Sequence, residues 1–168
     1  MTPSTIALRS WDEGDLPLLE RLVGDAIMTH HLGGPETSVR IRRRHQRYLA
    51  TSDRPDGRMY VVVVGEDRVA AGSVGYWEHA WHGDTVWEMG WSVLPEFQGQ
   101  GVATVATRLI LAEVRAGRRR CVHAFPSVDN AASNAVCRKA GFALLGPCDV
   151  EYPPGNLLRS NDWEIVLG

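Results

Sequence analysis

The stretch Trp91-Ser92-Val93-Leu94-Pro95-Glu96-Phe97-Gln98-Gly99-Gln100-Gly101-Val102-Ala103-Thr104 runs from an apolar strand end, through two closely spaced glycines, into a helix. Each glycine costs backbone entropy on ordering, so a bare or left-handed backbone is needed there. Beyond them Val102, Val105, Ala106, Leu109, Ile110 and Val114 recur at helical spacing, and Gly117 closes the run. A glycine turn at the head of a helix offers orphan N–H donors and the positive end of the helix dipole. An anion such as a diphosphate can approach that backbone with no Cβ in the way. A strand-to-helix turn that needs only a positive φ would have the same two glycines.

Two familiar nucleotide loops are excluded by the neighbouring letters. A P-loop follows its last glycine with Lys and Ser or Thr, whereas Val102 and Ala103 stand here. A dinucleotide-binding turn needs GxGxxG, and Thr104 occupies the place of the third glycine.

Outward from this stretch, the pattern alternates strands and helices. Residues 6–11 (IALRSW) read as a first strand, and the acidic DEGD after them caps a helix from about Leu16 to Met28. Gly33, Gly34 and Pro35 break the chain, and Thr37 caps a second helix over 38–50. The runs 59–64 (MYVVVV) and 69–78 (VAAGSVGYWE) are Val-rich strands joined by the hairpin GEDR. WHGD at 81–84 turns the chain into the strand 85–93, with Val86, Met89, Trp91 and Val93 as interior candidates. After the glycine-headed helix come a strand at 120–125, a helix at 130–140 closed by Gly141, and strands at 142–146 and 162–167. This order predicts an α/β fold, a mixed sheet covered by helices, in a single domain over 1–168.

Composition excludes several classes. The chain has 168 residues, enough for one domain with a real core, and a net charge of -2 that argues against a nucleic-acid partner. No apolar run is long enough for a membrane span, and the first fifteen residues do not resemble a signal peptide. Cys121, Cys137 and Cys148 are odd in number, with no CxxC pair or zinc-ligand spacing. They read as reduced thiols of a soluble cytoplasmic protein with no metal.

Gln98 to Ala103 also fits Gln/Arg-x-x-Gly-x-Gly/Ala after a Val-x-Pro strand end, Val93 to Pro95. Downstream, DNAASNAVCRKAGF places Asn130, Ser133, Val136, Lys139, Gly141 and Phe142 in an Asn-x-x-Ser-x-x-Val…Lys-x-Gly-Phe pattern. Together these resemble the acetyl-coenzyme A loop and following helix of the GNAT superfamily of N-acetyltransferases. The opening LRSWDEGDLPLL is similar to its ribosomal-protein and antibiotic acetyltransferase branch. The resemblance covers most of the chain, and implies a mostly antiparallel mixed sheet of six to seven strands flanked by about four helices.

It also implies a site. The strand before the loop would splay from the next, CVHAF, with the pantetheine arm of acetyl-CoA in the gap. Backbone amides at Trp91, Ser92 and Val93 would hold that arm and polarise the thioester carbonyl. Gln98, Gly99, Gln100, Gly101, Val102, Ala103 and Thr104 would cradle the pyrophosphate, with Asn130 and Ser133 at the adjacent helix start. Asn130 is equally suited to cap that helix. A primary amine, with a pKa near ~10.4, must lose a proton before it attacks the thioester. Glu88 resembles, by its offset from the loop, the catalytic glutamate of the histone-acetyltransferase branch, and it shares a strand face with Gly90 and Ser92. A salt-bridged strand glutamate is the plainer alternative.

Here the chain departs from the family pattern. Cys137 stands seven residues after Asn130, where many members carry a tyrosine general acid, and burial would make its thiol packing rather than chemistry. Phe125 stands five residues before Asn130, where the ribosomal branch has a glutamate. The acid step then falls to water or to a tyrosine such as Tyr152. His123 reads as a hydrogen-bonded strand residue beside the cofactor gap. His30 and His31 fall in the region that shapes the family's acceptor pocket. Trp77 and Trp81 offer a flat wall for an acceptor, while Trp87 and Trp91 complete a series of mixed spacing. The basic run 40–47 reads as a solvated face, whereas Arg118–Arg120 and Arg138-Lys139 lie nearer the cofactor's phosphates. Acidic residues around the tryptophans favour a cationic acceptor. The expected function is acetyl transfer to a small-molecule amine such as an antibiotic or polyamine, by direct attack in a ternary complex. A protein N-terminus is the alternative acceptor, and a non-catalytic CoA-binding sensor the alternative class. Pairing of sheet edges into a homodimer is a family-level expectation.

Overall fold

In the computed structural model, which describes residues 4–117 and 119–168, the valine run 61–64 lies within a seven-stranded sheet. All four valines are buried, Val62 and Val64 under one pair of helices and Val61 and Val63 under another. An unbroken apolar run is what a strand covered on both faces requires.

The elements are β1 (Ile6–Ser10), α1 (Leu16–Val23), α2 (Ser38–Ala50), β2 (Gly57–Val64), β3 (Val69–Trp81), β4 (Asp84–Val93), α3 (Val102–Val114), β5 (Cys121–Ala124), α4 (Ala131–Ala140), β6 (Ala143–Glu151) and β7 (Leu157–Val166). The sheet order is β1-β2-β3-β4-β5-β7-β6, antiparallel throughout except for the parallel pair β4–β5. Leu19 and Leu22 of α1 and Ile41 of α2 pack with Trp11, Val61, Val63 and Leu94 on one face. Ala106, Ile110 and Val114 of α3, with Cys137 of α4, pack on Val62, Val74, Met89 and Val93 on the other. Among the described residues, no helix is long and apolar enough to cross a membrane.

Several boundaries depart from expectation for identifiable reasons. Helix α1 stops at Val23, because Gly24 follows and the Asp25 side chain accepts from the N–H of Ile27 and Met28, both at 2.9 Å. That local turn competes with further helix. Strand β3 continues to Trp81, so the turn is only His82 and Gly83, both at positive φ (50° and 82°). Such a two-residue turn matches the twist of the strands it joins. Strands β6 and β7 are both longer than their apolar letters, because they pair with each other from Ala143↔Glu164 to Glu151↔Leu157. Pro147 is tolerated there because β6 is an edge strand. Val86 is buried on the face opposite Met89, as two-residue alternation along β4 demands.

Candidate active site

The parallel pairing of β4 with β5 is confined to Trp87↔Val122 and Glu88↔His123. Strand β4 runs on to Val93 while staying paired with β3, and β5 ends at Ala124. A wedge therefore opens beside Met89–Val93, with Trp91, Ser92 and Val93 on its β4 wall. The Gln98 amide donates to the Val93 carbonyl at 2.8 Å, which ties the following loop to the strand end.

That loop makes one tight turn at Pro95–Phe97 and then passes through Gly99 (φ 73°) and Gly101 (φ 78°). A Cβ on either glycine would meet nothing within 4 Å. The glycines therefore serve left-handed backbone and open approach, not close packing. Gly101 precedes α3, no side chain caps that helix, and the first intrahelical bond is Val105 N–H to Gly101 C=O at 3.0 Å. The amides of Val102, Ala103 and Thr104 are thus the helix's orphan donors, at its positive end. This exposed cradle fits an anionic diphosphate. At the start of α4, the Asn130 side-chain oxygen Oδ1 caps the helix by accepting from the Ser133 N–H at 3.1 Å.

The basic residues expected near the phosphates are not free at the loop, since Arg119 and Arg120 follow the far end of α3. Arg119 pairs with Glu78 and lies over the Trp87 ring. Arg138 lies over Trp163, Arg120 is exposed, and Arg118 is outside the described residues.

On the opposite face Glu88 stands at the last β4–β5 rung, with 19% of its side chain exposed. Trp77, directly across on β3, donates its indole N–H to Glu88 Oε2 at 3.1 Å, and His79 Nδ1 lies 3.1 Å from the same oxygen. Burial pushes the Glu88 carboxyl up to about 7, and the Trp77 hydrogen bond opposes only part of that rise. Burial, with His123 nearby, holds His79 below the usual histidine range. The Trp77 ring reaches Glu88 by crossing Gly90, where a Cβ would sit 2.8 Å from it.

The tryptophan series divides by strand face. Trp87 and Trp91 belong with the α3 core, whereas Trp77 and Trp81 face the Glu88 side. Trp81 contacts Phe125 (centroids 4.7 Å apart) and His79 (5.8 Å), and donates to Asp162 Oδ2 at 3.0 Å. His123 is buried with Nδ1 2.6 Å from Asp162 Oδ1 and Nε2 3.2 Å from Glu164. Cys137 is wholly buried and its thiol is pushed up to about 12 by burial, so it packs as a small apolar group. Tyr152 is engaged by Arg44 at 2.6 Å, and burial raises its phenol. His30 and His31 pack edge to face with each other, 5.0 Å apart, and share no hydrogen bond or ring contact with Trp77, Trp81 or Glu88.

Sequence reasoning overlooked Asn134 and Asp162. Buried Asn134 donates to the carbonyls of Ser127 and Asn130 and accepts from Asn161 and Trp163, pinning the start of α4 to β7. The double asparagine spacing of 130 and 134, one helical turn apart, was the available signal.

A splayed parallel strand pair beside a glycine-headed helix is the architecture expected of an acyl-transferring enzyme. The model of the acetyltransferase (GNAT) domain family matches residues 5–143, and the chain belongs to that family. No curated protein matches by sequence. Among solved structures, a Salmonella typhimurium acetyltransferase that modifies the N-terminal serine of ribosomal protein L7/L12 has a TM-score of 0.79 at 25% identity, over 98% of this chain and 96% of that one. A Vibrio cholerae spermidine N-acetyltransferase in complex with CoA and spermine has 0.76 at 19% identity, over 96% and 95%. An aminoglycoside acetyltransferase in complex with coenzyme A has 0.76 at 17%, over 96% and 95%.

Proposed function

We propose that this protein, one acetyltransferase domain over 1–168, moves the acetyl group of acetyl-CoA to a primary amine of a small cationic molecule. The attack is direct, in a ternary complex, with Glu88 as general base. The observation that carries this reading is the place of Glu88, a largely buried carboxyl at the mouth of the β4–β5 wedge, which burial pushes up to about 7. A base with that midpoint accepts a proton at neutral pH and can release it again.

Acetyl-CoA supplies the activated thioester. The amides of Gly99 to Thr104 hold its pyrophosphate, and Gln98 keeps that loop on the end of β4 through the Val93 carbonyl. The free edge of β4 at Trp91, Ser92 and Val93 hydrogen-bonds the pantetheine arm and polarises the thioester carbonyl. Asn130 contributes its remaining amide N–H groups while its oxygen caps α4. Glu88 Oε1 takes the proton of the incoming amine, since the Trp77 indole N–H and the His79 ring both lie at Oε2. Water protonates the departing thiolate, because Cys137 is sealed and Tyr152 is held by Arg44.

The carboxylates Glu88, Asp162 and Glu164, beside Trp77 and Trp81, favour a cationic acceptor. The likeness to the L7/L12 enzyme favours a protein N-terminus as second reading. Thiol release from acetyl-CoA, measured with spermidine, an aminoglycoside and a peptide with N-terminal serine, separates them. Release with either small amine but not the peptide is expected. CoA binding without release from any acceptor would sink the enzyme reading and leave a sensor.

A further inference from the structure

We propose that the groove between the β3–β4 hairpin tip and β6–β7 takes the body of the acceptor, and that Asp162 is a positioning residue holding Trp81 as its wall. The inference rests on the acetyltransferase reading and extends it to the part of the acceptor remote from the reacting amine.

Asp162 is a buried carboxylate that the transfer chemistry leaves unused, with only 6% of its surface exposed. Burying a charge is costly unless its oxygens are well satisfied, so its partners indicate what it is there for. One oxygen meets His123 Nδ1 at 2.6 Å and the other accepts the Trp81 indole N–H at 3.0 Å. Both ring nitrogens of His123 face carboxylates, Asp162 and Glu164, so two acids share one imidazole. One imidazole against two acids leaves an excess of negative charge beneath the site.

The Trp81 bond spans a distance that sheet pairing does not. Trp81 lies on β3 at the last pair before the hairpin turn, and Asp162 lies on β7, beyond β4 and β5 in the sheet. The bond therefore folds the hairpin tip over the sheet face. Its indole ring then contacts Phe125 and His79, and His79 in turn lies 3.1 Å from Glu88. Trp81 also borders a groove of about 630 Å³, lined by Leu145, Pro147, Asp149, Arg159 and Asp162. Asp149 and Arg159 pair at its rim, 3.1 Å apart. An aromatic wall with aliphatic neighbours, above uncompensated negative charge, suits an amine that carries further positive charge on an aliphatic or ring body. Trp81 thus touches the groove directly and the base through His79.

Two readouts test this. In the free protein, spermidine is titrated while the ¹⁵N-labelled Trp81 indole resonance is followed, assigned by its loss in Trp81→Phe. The resonance should move in the wild type and in Asp162→Asn, which retains an acceptor oxygen, and stay unmoved in Asp162→Ala. A wild-type resonance unmoved by millimolar spermidine overturns the groove assignment, whether or not any amine is turned over. In turnover with the best acceptor of the amine panel, Asp162→Ala and Trp81→Phe should each raise KM about tenfold, with kcat within about twofold and CoA affinity unchanged. The double variant should be no worse than the poorer single, because Asp162 acts through Trp81. Additive effects, or a loss confined to kcat, overturn the positioning role. Absence of turnover in the wild type counts against the acetyltransferase reading instead.

Discussion

Glu88 has a base's midpoint because burial pushes its carboxyl up to about 7, while the Trp77 indole that reaches it across the bare Cα of Gly90 offsets only part of the rise. Below about 7 the carboxyl is protonated and cannot accept a proton, so kcat/KM should rise through that pH and flatten above it. Glu88→Gln should lose at least about a hundredfold in kcat and the acidic limb of the profile with it. The same shift has a stability consequence of definite sign. A folded-state midpoint raised above the unfolded one means that stability is highest while the group is protonated in both states. It falls as pH rises through the window from 4.5 to about 7. Glutamine copies the neutral form, so Glu88→Gln should melt a few degrees higher than wild type at pH 8 and level with it at pH 4. Equal melting at both values would contradict the burial of Glu88. Strand alternation alone places Glu88 with Gly90 and Ser92 on one face. It says nothing of Trp77 or His79, because register with a second strand is needed to bring them there.

At the scale of elements, the glycine loop and α3 carry the cofactor reading. Any β-branched residue at Gly101, at φ 78°, costs about 1–2 kcal/mol of left-handed strain and stands its Cβ where an anion would approach. Gly101→Val should therefore weaken CoA binding by at least about tenfold, measured by calorimetry, with a much smaller effect on acceptor KM. Unchanged CoA affinity would refute the cradle. This element was legible because its signals are local: positive-φ glycines, a helical apolar stripe and a distinctive sequence of letters. The caps at Thr37 and Asn130 were legible for the same reason. Of the β6–β7 hairpin only the start of β6 and the end of β7 were legible. Its letters, with Gly146, Pro147 and Asp149 in mid-strand, disfavour a strand, and only pairing with its neighbour overrides them.

Across the whole molecule, a cluster joins the N-terminal helical pair to the far hairpin. Arg44 of α2 pairs with Glu36, hydrogen-bonds Tyr152 at 2.6 Å and lies over the Tyr48 ring. Both charged side chains are nearly out of solvent, 14% and 9% exposed. Arg44→Leu alone strands the Glu36 carboxylate and should cost about 3–5 kcal/mol in denaturant unfolding. Adding Glu36→Leu should recover part of that loss, and a double variant worse than the single would show that the cluster is not a coupled pair. From the basic run 40–47 one expects a solvated face; Arg44 and His45 depart from it, because Glu36, Tyr152 and Trp11, on other segments, draw them inward. The same division holds for the protein at large. Chain order suffices for the strand-glycine-helix unit, the Asn130 helix and the family, because turns, caps and helical periodicity are set by neighbours along the chain. Only the tertiary structure decided that Glu88 meets Trp77 and His79, that Asp162 holds Trp81, and that Cys137 is sealed. Those facts depend on burial and on contacts between distant strands, which chain order does not encode locally.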